Sequence, residues 1–424
     1  MKKTLVRLLC LSLAILMLVP CFASCNGGEG EKETTTTTTD KEPENTPDNS
    51  AEALSSNPYA NAGLELMHST IDKHYNSRTN FLRISIQDSN PCFVWAVGAF
   101  IEALAETHKL YPDDKKVKDT YVDALNDLLN QYKVENSKIN TPNGTVQVTY
   151  YNASKGNRGD YYYDDNAWIC IQLIEAYKIL GEEKYLKEAE TSLEFLWTGW
   201  DDVQGGGIYW DKSYGSKNAC ANGPVAIAFF EAYKLTNKEE YLEKGKKIYE
   251  WSNEKLLDGN LYIDNVGKNG NKNTWKSSYN QGVFIYAASQ LYEITGDKAY
   301  YNHAKKVVTA SISLMFNVTG SRNNLSVSMK GNPIYKAWCV GWLTRGFIKY
   351  YEIDEKKSET AMNYLEKVLD KQLKTKDKKT GFYDPYYCTG DWGGENKIEV
   401  LQQAGIISVF VLAGYFDTHI RESK

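Results

Sequence analysis

The chain has 424 residues, of which 42% are hydrophobic and 24% charged, so it is long enough for one large domain or two ordinary ones. Its net charge of −5 gives no basic footprint for nucleic acid, and a nucleic-acid partner is therefore not expected. Together, the 31 tyrosines and 10 tryptophans far outnumber the 13 phenylalanines. Rings with a polar tip suit packing between helices, and they also suit a surface that stacks on an amphipathic ligand such as a sugar.

Residues 1–24 have the organisation of an export signal. The basic segment MKKTLVR precedes the apolar run LLCLSLAILMLVP, which is too short to span a bilayer comfortably. Phe22, Ala23, Ser24 and Cys25 then resemble the lipobox of bacterial lipoproteins, with Phe in place of the usual Leu. The resemblance implies cleavage before Cys25, lipidation of its thiol and a location on the outer face of the cell membrane. An ordinary secretory signal is the alternative.

Residues 25–54 are predicted to form a disordered tether. The stretch GGEGEKETTTTTTDKEPENTPDNS is rich in Thr and Glu, contains no aromatic residue and cannot bury enough apolar surface to order itself. Membrane contact is therefore expected only through the lipid anchor. Beyond Cys25 the number of cysteines is odd and no CxxC pair occurs, which favours free buried thiols over disulfides. These cysteines are Cys92, Cys170, Cys220, Cys339 and Cys388.

A helical repeat begins after the tether. The segments EAYKILGEEKYLKEA, EAYKLTNKEEYLEKG and QLYEITGDKAYYNHA each join an apolar helix to a second helix through a short polar turn. Tyr177, Tyr233, Tyr292 and Tyr351 occupy matching places at intervals of 56 to 59 residues. The first helix of each unit is apolar on almost all sides and the second is amphipathic, which predicts an inner and an outer helix.

Six inner and six outer helices can be counted if the segment near residue 62 pairs with the apolar C-terminal helix. The sequence therefore predicts an all-α fold, an (α/α)6 barrel formed by a single domain over residues 55–424. An open α-solenoid is the alternative, but its last helix would need a polar outer face, and AGIISVFVLAGYF has none.

The loops that precede the inner helices are expected to form one rim, because every hairpin repeats the same direction. The most unusual of them is DYYYDDNAWI at 160–169, where two adjacent aspartates follow three tyrosines. Adjacent carboxylates repel each other unless they are solvated or used. Polar, carboxylate and aromatic side chains converging at one end of an apolar barrel are typical of a carbohydrate site.

Several of these motifs together resemble glycoside hydrolase family 76, the endo-α-1,6-mannanases and their fungal cell-wall relatives. They are YYYDDNAW, GGGIYW, NG at 222–223 and SYNQGVFIYAASQLYEITGD, and the likeness covers nearly all of the chain after the tether. It implies the (α/α)6 fold and retaining, endo-acting hydrolysis of α-1,6-mannosidic bonds in mannan. It also implies Asp164 as the nucleophile and Asp165 as the general acid/base.

The chemistry of the pair is consistent with this resemblance. A retaining glycosidase needs two carboxyl groups about 5 Å apart, one ionised and one protonated. Mutual repulsion and desolvation keep one proton on such a pair. The residues alone leave open which aspartate is ionised. The alternative is that Asp164 and Asp165 only cap a helix, since Asp is favoured at the N-cap and in the first turn.

Further side chains on the rim are expected to bind substrate, although packing or helix capping is the alternative for each. Asp160 is interpreted as a solvated loop charge that can still tune the pKa of the pair. The predicted substrate-binding residues are Tyr162, Tyr163, Asn166, Trp168, Trp210, Asn222, Tyr279, Asn280 and Gln281.

No cofactor or metal is predicted. The five histidines are scattered without HxH or HExxH spacing, and GxSxG, P-loop and dinucleotide-binding motifs do not occur. We expect a monomeric hydrolase whose partner is an α-mannan polysaccharide or oligosaccharide. A surface glycan-binding protein without activity and a transglycosylase acting on α-mannosides are the alternatives.

Overall fold

The computed structural model describes residues 54, 56–79, 81–156, 159–321, 324–330, 336–387 and 397–421. The predicted signal peptide, most of the predicted tether, Cys25 and Cys388 lie outside the described residues. Twelve α-helices are found within these ranges. The inner helices are α2 (Val94–Leu110), α4 (Tyr163–Leu180), α6 (Ala219–Thr236), α8 (Ser278–Thr295), α10 (Ala337–Ile353) and α12 (Val400–Tyr415). The outer helices are α1 (Pro58–His74), α3 (Lys115–Gln131), α5 (Glu183–Trp197), α7 (Glu239–Lys255), α9 (Lys298–Met315) and α11 (Thr360–Gln372).

The inner helices form a closed ring. Each packs against the next along the chain, and α12 returns to pack against both α2 and α1. The side-chain amide of Asn57 at the start of α1 donates to Asp417 Oδ2, just beyond α12, at 3.1 Å. The structure is therefore an (α/α)6 barrel, as the repeat predicted, and not an open solenoid.

Burial follows the predicted division between inner and outer helices. The inner helices α6 and α12 are buried on nearly every side, whereas the outer helix α7 buries only one face and exposes charged side chains on the other. The apolar composition of Val400–Arg421 would also suit a membrane span, but 78% of that segment is buried inside the protein. Its hydrophobicity is explained by its place in the barrel.

The two ends of the barrel differ in their connections. Short turns lead from each inner helix to the next outer helix, and Gly181 and Gly296 adopt the left-handed conformation (φ 70° and 69°) that ends α4 and α8. All strands among the described residues lie in the longer connections at the opposite end. They are β1 (Tyr75–Asn76), β2 (Phe81–Ser85), β3 (Asp88–Pro91), β4 (Lys133–Thr141), β5 (Gly144–Tyr151), β6 (Ser216–Asn218), β7 (Leu257–Asp258), β8 (Leu261–Tyr262), β9 (Asn265–Gly267), β10 (Lys272–Asn273), β11 (Phe316–Ser321) and β12 (Asn324–Met329).

Four inner helices are joined to these long connections by the same device, a buried side-chain amide that bonds to both backbone groups of one loop residue. Asn222 accepts from the N–H of Ile208 at 2.7 Å and donates to its carbonyl at 2.8 Å. Gln281 does the same with Tyr262. The other two pairs are Asn166 with Tyr151 and Gln403 with Tyr383. Each amide fixes a loop against the first turn of its helix.

Close backbone approach also fixes the ring where α8 meets α10. A Cβ atom added at Gly282 would overlap the carbonyl oxygen of Trp342, and one added at Gly346 would overlap the carbonyl of Gly282. Only glycine allows the two helices to come this close. The contact sets the distance between Tyr279 and Trp338, which begin these helices.

The cysteines at described positions are free. Cys92 and Cys170 are buried, while Cys220 and Cys339 are partly buried. The structure therefore agrees with the prediction of free thiols for these four.

Candidate active site

A cavity of about 660 Å³ opens at the end of the barrel where the inner helices begin. The inner helices α2, α4, α6, α8 and α10 each contribute a residue from their first turn, and the long connections form the walls. Its lining is Phe93, Trp95, Ala153, Asp160, Tyr162, Asp164, Asp165, Trp168, Trp210, Ser216, Asn218, Cys220, Asp264, Asn265, Trp275, Ser277, Tyr279, Asn280, Trp338 and Cys339.

Asp164 and Asp165 lie side by side in the first turn of α4, where the helix dipole favours an anion. The N-cap residue is Tyr162, so neither aspartate occupies the N-cap position. The turn is held in place from outside, because the N–H of Tyr163 donates to the carbonyl of Trp210 at 2.8 Å. Both carboxyl groups are partly buried and line the cavity.

Asp164 is surrounded by hydrogen-bond donors. Its Oδ2 accepts from the indole Nε1 of Trp210 at 2.9 Å, and its Oδ1 accepts from the backbone N–H of Asp165 at 3.0 Å. Burial raises the pKa of Asp164 to about 6, while the donors Trp210 and Cys220 act in the opposite direction. The anion of Asp164 is thus the form that its neighbours stabilise.

Asp165 has the opposite surroundings. Burial raises its pKa well above the usual value, and the negative charges of Asp164 and Asp160 raise it further. The neutral acid is therefore the favoured form of Asp165 beside an ionised Asp164.

Aromatic rings form the floor of the cavity beside the pair. The ring of Trp168 lies 5.5 Å from Trp338 and 5.7 Å from Tyr279, in both cases edge to face. Tyr279 and Trp338 stack on each other at 5.0 Å. Tyr162 packs against Trp210 at 5.2 Å on the rim. Such rings offer apolar faces with few competing charges, which suits the C–H faces of a sugar.

Of the residues predicted to bind substrate, five line the cavity: Tyr162, Trp168, Trp210, Tyr279 and Asn280. Asn280 is buried, and its Nδ2 has no hydrogen-bond partner among the described residues. A buried amide N–H of this kind can donate to a ligand oxygen.

The other four predicted substrate-binding residues lie behind the cavity wall. Tyr163 is fully buried and stacks on Phe195 at 5.0 Å, between α4 and α5. Asn166, Asn222 and Gln281 are also fully buried, and their amides are occupied by the loop carbonyls and N–H groups described above. We reassign all four from substrate contact to support of the rim.

Several residues that line the cavity were not predicted from the sequence. Phe93 and Trp95 stand at the start of α2, in the same place as Tyr162 and Asp164 on α4, and this equivalence was a signal that the repeat already contained. Trp275 and Asp264 enter from the connection before α8, where the sequence has no periodicity to indicate their direction. Asp160 also lines the cavity, so it is not simply a solvated charge.

A metal site is not formed by the described part of the chain, which contains no group of three or more His, Cys, Asp or Glu side chains placed to hold an ion. The cavity instead contains two carboxyl groups of unequal proton affinity within an aromatic enclosure. That arrangement is suited to acid–base and nucleophilic chemistry at one bond of a sugar.

Comparison with known proteins identifies the family. The family model for glycosyl hydrolase family 76 matches residues 58–412. Mannan endo-1,6-alpha-mannosidase DCW1 of Saccharomyces cerevisiae is 26% identical over 147 residues, which are 31% of this chain and 32% of that protein. The enzyme of the same description, DFG5, from Candida albicans is 26% identical over 209 residues, 41% of this chain and 46% of that protein. The matches thus span less than half of either relative.

Solved structures share the fold. A family 76 glycoside hydrolase from a bovine Bacteroides thetaiotaomicron strain superposes with a TM-score of 0.73 at 22% identity, over 86% of this chain and 79% of that one. An inactive alpha-1,6-mannanase variant from Salegentibacter sp. HEL1_6, with two neighbouring Asp-to-Asn substitutions and bound alpha-1,6-mannotriose, superposes with a TM-score of 0.67 at 22% identity, over 84% and 99%. With its family model matched along most of its length, the chain belongs to glycosyl hydrolase family 76.

Proposed function

We propose that the barrel is an endo-acting, retaining hydrolase of α-1,6-mannosidic bonds in mannan. The observation that carries the proposal is the unequal pair in the first turn of α4. Asp164 is stabilised as an anion by the indole of Trp210, and Asp165 is kept protonated beside it. A retaining glycosidase needs these two states in two neighbouring carboxyl groups.

The reaction follows from these states. Asp164 attacks the anomeric carbon while Asp165 gives its proton to the glycosidic oxygen, so that the bond to the leaving sugar breaks as the bond to Asp164 forms. Asp165 is then ionised and removes a proton from a water molecule. The resulting hydroxide displaces Asp164 from the anomeric carbon, and two inversions leave the configuration unchanged.

Retention is supported by the closeness of the two groups. Inverting enzymes hold their carboxyl groups roughly 6.5 to 9.5 Å apart to leave room for water, whereas retaining enzymes hold them about 5 Å apart. Asp164 and Asp165 are consecutive residues, and the N–H of the second hydrogen-bonds to the carboxylate of the first. Consecutive residues fit the closer of these two arrangements.

The substrate class is supported by the relatives. The two fungal relatives are described as mannan endo-1,6-alpha-mannosidases, and the Salegentibacter enzyme whose neighbouring aspartates were replaced is inactive and binds alpha-1,6-mannotriose. In this chain the corresponding chemistry falls to Asp164 and Asp165. A sugar hydroxyl in place of water would make the same site a transglycosylase, and the two outcomes differ only in the second step.

We also propose that the enzyme acts outside the cell as a monomer tethered through a lipid on Cys25. The support is the sequence pattern of residues 1–25 and the Thr- and Glu-rich segment that follows. Replacement of Cys25 by Ala should release the protein from the membrane fraction. Retention of that variant at the membrane would contradict lipid anchoring.

The decisive experiment is incubation of the purified domain with debranched α-1,6-mannan, with Asp164→Asn and Asp165→Asn variants alongside. An Asp113→Asn variant is the matched control, since this aspartate is exposed in the turn at the opposite end of the barrel. We expect short mannooligosaccharides from wild type and control only, with NMR showing the α-anomer first. The β-anomer first would exclude retention, and binding without cleavage by the wild type would indicate a glycan-binding protein.

A further inference from the structure

Two large aromatic side chains stand exposed at the edge of the cavity. The side chain of Phe93 is 56% exposed and that of Trp95 38% exposed, although both line the wall of a barrel whose other large rings are mostly buried. Exposed rings on an otherwise polar rim lose the hydrophobic stabilisation of burial. Their exposure is explained if a ligand covers them.

Phe93 is rigidly held. The N–H groups on either side of it bond to backbone carbonyls, Cys92 to Leu82 at 3.1 Å and Val94 to Ala153 at 2.9 Å. Phe93 itself forms an antiparallel bridge with Ser154. The backbone of Phe93 is therefore fixed between two connections. Little backbone entropy is lost when a ligand binds to its ring.

The side chain of Trp95 is held by a contact between aromatic rings. It meets Trp338 edge to face, with ring centroids 5.0 Å apart. Trp338 belongs to the aromatic floor, so Trp95 and Phe93 extend this floor outward to the rim. We call Phe93 and Trp95 together the α2 platform.

The α2 platform and Trp210, the hydrogen-bond partner of Asp164, lie on opposite sides of α4. The backbone carbonyl of Asp160 accepts from Ala153 at 2.7 Å, and Ala153 in turn accepts from Val94. Asp164, by contrast, contacts Trp210, in the connection that leads to α6 on the other side of α4. In the ring, α4 stands between α2 and α6.

We propose that the α2 platform binds the mannose residues on the leaving-group side of the bond that is cut. This inference rests on the proposed function, because Asp164 attacks the sugar on its own side of the bond and the leaving sugars lie on the other side. The chain to be released stacks its sugar faces on Phe93 and Trp95, while the residue that becomes attached to Asp164 lies towards Trp210.

The platform then has a defined role. Binding energy from the leaving sugars helps the first step, in which the glycosidic bond breaks, and does nothing for hydrolysis of the intermediate once those sugars have departed. The same rings would receive an acceptor sugar if the second step were transfer instead of hydrolysis.

The test compares two substrates in Phe93→Ala and Trp95→Ala variants. One is linear α-1,6-mannan, and the other is α-1,6-mannobiosyl fluoride, which has the same sugar on the Asp164 side but only fluoride as the leaving group. We expect kcat/KM on mannan to fall at least tenfold more than kcat/KM on the fluoride, since loss of one stacked ring costs about tenfold. Trp95→Phe should restore most of the mannan activity.

Tyr415→Ala is the control, because Tyr415 is equally exposed (41%) but ends α12 at the opposite end of the barrel. It should leave both rates as in wild type. Equal losses on the two substrates in the platform variants would overturn the inference, whereas a wild-type enzyme that cleaves neither substrate would overturn the proposed function itself. Thermal unfolding of each variant shows that the protein compared is folded.

Discussion

The indole Nε1 of Trp210 lies 2.9 Å from Oδ2 of Asp164, although 46 residues separate them along the chain. The bond joins a connection on the rim to the first turn of α4. Trp210 therefore does more than line the cavity, because its N–H stabilises the anionic form of the proposed nucleophile.

Trp210→Phe keeps an aromatic ring and removes this donor. The anion of Asp164 loses stabilisation, so the pKa of Asp164 should rise and the acidic limb of the kcat/KM profile should move to higher pH. A hydrogen bond to a charged group is worth about 1.5–3 kcal/mol, which corresponds to a loss of roughly tenfold to a hundredfold in kcat/KM. A lower rate with an unchanged pH profile would show that the ring matters only for packing or stacking.

The wild-type profile should be bell-shaped. Activity requires Asp164 ionised, with its pKa of about 6, and Asp165 protonated, with its pKa well above the usual value. Because the two carboxyl groups interact, the two limbs of the profile report apparent pKa values of the pair and not of either residue alone. We therefore expect kcat/KM on mannan to fall below about pH 6 and to fall again on the alkaline side. An activity that stays constant from pH 4 to 6 would contradict an ionised nucleophile with this pKa.

The same pKa shifts predict a cost in stability. A carboxyl group whose pKa is raised on folding leaves the folded state with more bound protons than the unfolded state, so stability falls as pH rises from the unfolded value of about 4 through the folded one. Asp165→Asn is neutral at every pH and takes up no proton on folding. It should raise the melting temperature at pH 7 by about 2 °C or more, and the gain should shrink towards pH 4. Calorimetry at both pH values, with Asp113→Asn as control, measures this.

The buried amide of Asn222 is expected to support both stability and activity. Asn222→Ala leaves the N–H and carbonyl of Ile208 and the carbonyl of Asn218 without their partner. Unpaired buried groups cost about 1–3 kcal/mol each, and part of this is recovered if the connection shifts. Because that connection carries Trp210, kcat/KM should fall as well. Full activity in a destabilised Asn222→Ala protein would show that the amide has no influence on the site.

Gly282→Ala should separate α8 from α10. The added methyl group would overlap the carbonyl of Trp342, and overpacking of this kind costs about 1–3 kcal/mol. Gly215→Ala is the control, since a methyl group there meets only Ser213 Oγ, at 3.4 Å. Urea unfolding should show a lower midpoint for Gly282→Ala alone. Equal midpoints would mean that the two helices adjust without cost.

The barrel could be predicted because its signal is repeated. The matching tyrosine recurs in four of the six inner helices, and the contrast between inner and outer helices recurs with it. The apolar α12 favoured a closed ring over the open solenoid. The aspartate pair could be singled out only in its context, after three tyrosines and among the motifs that resemble family 76, because Asp is common in the first turn of a helix. What the sequence could not show is the direction of each side chain in that first turn. Asn166 and Asn222 are polar side chains of the kind that bind ligands, yet their amides bond to the connecting loops. Those loops have no periodicity in the sequence, so their positions could not be predicted.

The same limit explains why Phe93 and Trp95 were not selected. An aromatic residue in FVWAV is typical of the buried core of a helix, and only the structure shows that Phe93 is 56% exposed. The unequal charge states of Asp164 and Asp165 likewise depend on Trp210 and Asp160, whose contacts with the pair are tertiary.

The contact of α1 with α12 has a consequence for the order of folding. Asn57 and Asp417, which meet there, are 360 residues apart in the chain, so the ring cannot be sealed by any local segment. Bringing the two ends together costs chain entropy before the contact between them can stabilise the fold. Topologies rich in such distant contacts therefore fold slowly. Hairpins can form as independent local units, but the ring that surrounds the cavity closes only when α1 and α12 meet.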